Sequence, residues 1–86
     1  MAKVEMYTTG SCPYCIRARA LLEKKGVAIT EYRVDITPEL RSEMEGRSGA
    51  TSVPQIFVDD RHIGGCDDMY ELDFDGELDP LLGLRQ

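Results

Sequence analysis

The sequence predicts an α/β fold, a four-stranded mixed sheet with helices on both faces, in the order strand, helix, strand, helix, strand, strand, helix. Two observations carry this. Short alternating or apolar segments recur at 3–8, 27–36, 55–58 and 61–63, and two stretches with helical character, 13–25 and 38–46, separate the first three of them. Gly or Pro stands at the junctions, at Gly10, Pro13, Gly26, Pro38, Gly49 and Gly64-Gly65.

Each element has a local cause. Val4 and Met6 alternate with Lys3, Glu5 and Tyr7, the period of a strand. Thr9-Gly10-Ser11 is a turn, and Pro13 suits the first helical position, where its missing N–H has no intrahelical partner to lose. Over 13–25 the apolar stripe is read as Ile16, Ala20 and Leu21, with Ala18 and Leu22 beside them, and Gly26 ends the helix. Residues 27–36 alternate loosely around Tyr32, Val34 and Ile36 as a second strand. Thr37-Pro38 opens a helix reaching about Gly46, and 49–52 is a loop. Asp59-Asp60 joins the last two strands as a two-residue hairpin turn. A final helix spans 66–75 with Met69, Leu72 and Tyr70 inward, and Pro80-Leu81-Leu82 caps the core.

At 86 residues the chain is read as one domain with a modest core, since chains near this size bury only about 60–65% of their unfolded surface. A hydrophobic fraction of 42% with 30% charged residues fits a globular protein. No apolar run approaches the roughly 18 residues of a membrane span, and Met1-Ala2-Lys3-Val4-Glu5 begins no secretory apolar region. The expected location is the cytoplasm, without a membrane partner. A net charge of −6 argues against nucleic acid as a partner. That charge is uneven: Asp67, Asp68, Glu71, Asp73, Asp75, Glu77 and Asp79 follow Cys66 with no intervening Lys or Arg, and read as a solvated face and tail.

The chemistry concentrates at Cys12-Pro13-Tyr14-Cys15. Two thiols three positions apart at a helix start can close a small disulfide and reopen it. The N-terminus of a helix carries roughly half a positive charge, and a cysteine there can fall from a pKa of about 8.5 to roughly 3.5–7.5. Three cysteines make no disulfide framework, so in a reducing compartment the close pair reads as redox-active or metal-binding. A zinc site would have to recruit Cys66 and His62, at a spacing uncommon for zinc. A CxxC beside a βαβ pattern points to a thioredoxin-like arrangement.

Three segments in order then give the chain a family likeness: Tyr7-Thr8 with Cys12-Pro13-Tyr14-Cys15, Thr51-Ser52-Val53-Pro54-Gln55-Ile56-Phe57, and Ile63-Gly64-Gly65-Cys66-Asp67-Asp68. The chain resembles a glutaredoxin of the short dithiol type found in bacteria, over nearly its whole length. The resemblance implies a glutathione-dependent thiol–disulfide oxidoreductase, with Cys12 as nucleophile, Cys15 as resolving thiol and Pro54 as a cis-proline facing them. It implies glutathione as co-substrate, held by Tyr14, Arg41, Ser52, Val53, Pro54, Cys66, Asp67 and Asp68, with no tightly bound metal. Partners implied are glutathionylated and disulfide-containing proteins, ribonucleotide reductase among them at family level, with the chain itself a monomer. Two features depart from the family pattern. Thr9 stands where many relatives carry Lys, which predicts weaker glutathione affinity, and Ser52 replaces the more usual Thr. A redoxin reduced by thioredoxin reductase and a carrier of a glutathione-ligated iron–sulfur cluster are the alternative readings. Cys66 is read as a small residue at a tight turn, His62 as a surface residue, and Arg17 and Arg19 as solvated helix charges.

Overall fold

A computed structural model describes residues 2–84. Four strands, β1 (Val4–Thr8), β2 (Ile29–Arg33), β3 (Gln55–Val58) and β4 (Arg61–Gly64), form one sheet in the spatial order β2-β1-β3-β4. β1 and β2 are parallel, which requires a crossover, and α1 (Pro13–Lys24) supplies it. α2 (Pro38–Ser48) leads back to β3, antiparallel to both β1 and β4. α3 (Cys66–Phe74) and the short α4 (Leu78–Leu81) complete the described chain. This is the predicted thioredoxin-like fold with one short helix added.

The two central strands are buried along their whole length, as a sheet covered on both faces demands. On one face Val4, Met6, Ile56 and Val58 pack against Leu22 of α1 and Met69 of α3. Leu78 and Leu82 close that layer, so the predicted terminal cap exists but is carried by a helical turn. On the other face Tyr7 and Phe57 meet Met44 of α2 and Val34. Among the described residues no helix is long and apolar enough to cross a membrane.

Three expectations need correcting. The second strand is shorter than 27–36, because its parallel partner ends at Thr8, which pairs with Arg33; beyond that point no ladder remains. Val34 still bonds the Thr8 carbonyl at 3.0 Å, the chain then turns, and Ile36 is left 66% exposed. The buried stripe of α1 is Cys15, Ala18, Leu21 and Leu22, with Ile16 and Ala20 exposed. A stripe counted from Ile16 is one residue out of register, because the inward face is set by Cys15. Lastly, the acidic tail is not all solvated, since Lys25 bridges Asp73 and Asp79 and ties α3 and α4 to the end of α1.

The hairpin turn at Asp59-Asp60 forms as predicted, both residues adopting positive φ (51° and 68°) as a type I′ geometry requires. Asp59 also accepts the Lys3 N–H at 2.8 Å and so binds the turn to the start of β1.

One polar cluster under α2 is not legible in the sequence. Arg47 lies 4.0 Å over the Phe57 ring and donates to both carboxylate oxygens of Glu5, at 3.1 and 3.3 Å, and to the Tyr7 hydroxyl at 2.9 Å. Tyr7 in turn donates to Glu43 at 2.6 Å, and Tyr32 donates to Glu5 at 2.8 Å. Burial pushes the Glu5 carboxyl up, but hydrogen bonds from Arg47 and Tyr32 outweigh it and leave the group below its ordinary value. A carboxyl so depressed contributes stability that is complete above its unfolded value, near 4.5, and is lost as pH falls through the lower folded value. Arg47→Met leaves the buried Glu5 carboxylate with the Tyr32 hydroxyl and the Lys3 ammonium at 3.9 Å, and should destabilise the fold by about 2 kcal/mol, with Glu5→Leu restoring most of the loss. Urea denaturation at pH 7 measures this, and a single-variant loss under about 0.5 kcal/mol contradicts it.

Candidate active site

The first turn of α1 presents the two cysteines differently. Cys12 is the N-cap residue, with extended backbone (φ −90°, ψ 113°), and Pro13 occupies the first helical position. The Cys12 sulfur accepts a hydrogen bond from the Cys15 N–H at 3.3 Å, filling the role that a Ser or Asp oxygen usually fills at a helix start. It is half-buried, beside the Cys15 N–H at the N-terminus of α1. Cys15 is fully buried on the inward face. Burial pushes its thiol up to about 12, reinforced by its hydrogen bond with Cys12 and opposed by one from the Thr9 backbone and by the charge of Arg19. One sulfur is half-buried at the helix cap; the other is enclosed in the interior.

Opposite the pair, the Val53–Pro54 peptide bond is cis. The Cys12 thiol points to the Val53 carbonyl at 3.8 Å, so the proline loop and the helix start form two walls of one groove. That groove has a volume of about 400 Å3 and is lined by Tyr14, Ser52, Val53, Pro54, Gly65, Cys66, Asp67 and Asp68. Tyr14 stands 52% exposed at its edge.

The third wall is the start of α3. Gly64 has φ +118°, a region that favours glycine, and a Cβ there would come within 2.4 Å of the Asp68 carboxylate. The Asp68 carboxylate accepts the Gly65 N–H at 2.9 Å and so caps the helix. Cys66 takes the first position of α3 and is 3% exposed, with burial pushing its thiol up. The reading of Cys66 as a small residue at a tight turn agrees with this placement.

All the residues expected to face glutathione line this groove except Arg41. Its guanidinium donates to the Thr51 carbonyl at 3.0 Å, bracing the loop that leads into Ser52-Val53-Pro54. Gly65, quoted in the motif but not taken as a site residue, lines the groove as well. The loop before Cys12 is also braced: Asp35, paired with Arg33, accepts the Gly10 N–H at 3.0 Å. No sequence signal pointed to that contact, because a carboxylate two residues beyond a strand looks like any surface charge. Neither helix arginine is simply solvated. Arg17 lies 5.4 Å over the Tyr70 ring, and Arg19 forms a double hydrogen bond with Glu31.

The zinc arrangement does not assemble. His62 stacks on Phe57 and bonds Gln55 on the α2 side of the sheet, whereas Cys66 packs on the α1 and α3 side. Among the described residues no three His, Cys, Asp or Glu side chains converge as a metal-binding set.

Comparison with known proteins places this geometry. The glutaredoxin family model matches residues 4–63, a span containing both helix-start cysteines and the cis-proline loop. Glutaredoxin 3 of Escherichia coli (strain K12) is 60% identical over 82 residues, covering 95% of this chain and 99% of that protein. The solution structure of glutaredoxin from Brucella melitensis superposes with a TM-score of 0.83 at 52% identity, over 95% of this chain and 89% of that one. The crystal structure of a buckwheat glutaredoxin–glutathione complex superposes with a TM-score of 0.88 at 27% identity, over 95% and 77%. With its sequence, fold and paired thiols in agreement, this chain belongs to the glutaredoxin family of thiol–disulfide oxidoreductases.

Proposed function

We propose that the chain reduces protein–glutathione mixed disulfides and protein disulfides at the expense of glutathione, with Cys12 as nucleophile and Cys15 as resolving thiol. The observation that supports this most is the asymmetry of the two sulfurs: Cys12 is half-buried and 3.8 Å from the carbonyl of Val53, a residue that lines the groove, and Cys15 is fully buried. The buckwheat relative forms a complex with glutathione, which supports that tripeptide as the groove's occupant here.

In this reading Val53 offers its backbone to the cysteinyl part of glutathione, as an added strand would pair. The N–H groups at the start of α3 face the γ-glutamyl carboxylate, and Asp67 and Asp68 face its amine. Arg41 holds the loop leading to Pro54 through one N–H on the Thr51 carbonyl, and its remaining donors serve the glycine carboxylate.

The Cys12 thiolate attacks the glutathione sulfur of a mixed disulfide, and the protein thiol leaves. A second glutathione then attacks the Cys12–glutathione bond and regenerates Cys12. For a protein disulfide, Cys12 forms a mixed disulfide with the substrate, and Cys15 displaces the substrate to leave a Cys12–Cys15 bridge. Two glutathiones reopen that bridge. Glutaredoxins sit at about −200 to −230 mV, near the glutathione pool, so flow in either direction is open. The cytoplasm is the compartment this chemistry suits.

Cys12→Ser should abolish both reactions, while Cys15→Ser should keep deglutathionylation and lose protein-disulfide reduction. The coupled assay with hydroxyethyl disulfide, glutathione, glutathione reductase and NADPH, run beside insulin reduction, reads both. Turnover of a glutathionylated peptide by the Cys12→Ser protein would overturn the assignment. Because Cys15 is buried and pushed up to about 12, iodoacetamide at pH 7.5 should label Cys12 alone in the native protein. Mass spectrometry before and after unfolding checks this, and equal native labelling of Cys12 and Cys15 would contradict it. Thr9→Lys restores a cation near the groove and should lower KM for a glutathionylated substrate roughly two- to fivefold, the scale of one exposed charge interaction. An unchanged KM would show that position 9 does not set the affinity.

A further inference from the structure

Cys15 poses a problem that its burial creates. To close the bridge it must give up a proton and become an anion inside an apolar layer, where unpaired charge is costly. Some nearby positive charge has to offset that cost at the moment of reaction.

Arg19 is placed to do so. It stands four residues beyond Cys15 on α1, so the two side chains leave the helix on the same side, with Cβ atoms about 5–6 Å apart. It is not a free surface charge. Its Nε donates to one Glu31 oxygen at 3.0 Å and its Nη2 to the other at 2.6 Å, a two-pronged pairing that fixes the guanidinium plane. Glu31 is itself anchored from below by Thr8, a fully buried residue whose hydroxyl donates to it at 2.6 Å. Thr8 pairs with Arg33 at the end of β1, and three residues separate it from Cys12. The chain Thr8–Glu31–Arg19 thus spans β1, β2 and α1 and holds one guanidinium on the side of α1 that carries Cys15, one turn further along. Arg17, the other helix arginine near the pair, is directed onto Tyr70.

We propose that Arg19 is a positioning residue for the resolving step: held by Glu31 and Thr8, its charge stabilises the Cys15 sulfur as that sulfur becomes anionic and attacks the mixed disulfide on Cys12. The proposal rests on the assignment of Cys15 as the resolving thiol. In that step the Cys12–glutathione S–S bond breaks and the Cys12–Cys15 S–S bond forms. The Cys15 sulfur is oxidised, the glutathione sulfur is reduced, and the proton given up by Cys15 ends on the departing glutathione thiolate. Cys12 exchange with glutathione needs no Cys15 anion and does not call on Arg19.

The test loads Cys12 with glutathione as a mixed disulfide and follows release of glutathione as Cys15 closes the bridge. Closure is timed by quenched flow from pH 6 to 10. The same substitutions in a Cys15→Ser background report glutathione exchange at Cys12 separately. Arg19→Met should lower the ratio of closure to exchange about threefold for each unit rise in the Cys15 pKa, since the loss of thiolate is half offset by greater nucleophilicity. Its closure profile should move to higher pH. Arg19→Lys should restore most of the rate. A closure profile for Arg19→Met that overlays that of the unaltered protein would overturn the proposal. So would an equal slowing by Arg19→Lys, which would make shape rather than charge the cause. Absence of any closure in the unaltered protein, with Cys12 exchange intact, would instead reject Cys15 as the resolving thiol.

Discussion

The rotation of α1 about its own axis is the constraint on which the site depends. The helix has to place Cys15 inward at the top of the apolar layer, with Ala18, Leu21 and Leu22 below it, and that orientation leaves Cys12 at the cap facing the Val53 carbonyl. Turned by one residue, or about 100°, the helix would bury Ile16 and expose Cys15, and the two sulfurs would exchange environments. The hydrophobic layer between α1, α3 and the sheet therefore does more than stabilise the fold. It decides which thiol meets solvent.

The opposite face is held by different means. α2 is weakly amphipathic and buries only Met44 fully, so much of its attachment is polar, through Arg47 on Glu5, Tyr7 and Phe57. A charge pair replaced by well-packed apolar groups is often no loss in stability, but it does impose one orientation. Here that orientation carries Arg41, on the same helix, to the Thr51 carbonyl at the base of the proline loop. Both faces of the sheet thus converge on the groove from opposite sides, one through apolar packing and one through a salt bridge.

How much of this the sequence showed depends on the range of the interaction. The strands, the turn at Asp59-Asp60 and the helix starts at Pro13 and Pro38 follow from local rules and were legible. The groove was legible only through the family resemblance that three short segments carry: the paired cysteines, Val53-Pro54 and Gly64-Gly65. What escaped were side chains that act over long separations through ordinary charges. Glu5 with Arg47, Thr8 with Glu31 and Arg19, and Asp35 with the Gly10 N–H each join different elements, and nothing in the neighbouring residues marks them. The register of α1 was misread for a related reason. Ile16 is more apolar than Cys15, and Ala18 and Ala20 are indistinguishable by type, yet Cys15 and Ala18 take the inward positions. The end of β2 was overrun because its limit is set by where its neighbour stops, which is a property of the pair.

Pro13 carries a further consequence. It fixes the first helical position after the Cys12 cap, and the cap sulfur takes its hydrogen bond from the third helical residue, as N-cap side chains do; that residue is Cys15. The amide that bonds the Cys12 sulfur thus belongs to the residue that, in the proposed mechanism, displaces the substrate. A change of backbone position at one is felt at the other without any intermediary, and an extra residue in the tetrapeptide would uncouple them even with both sulfurs retained.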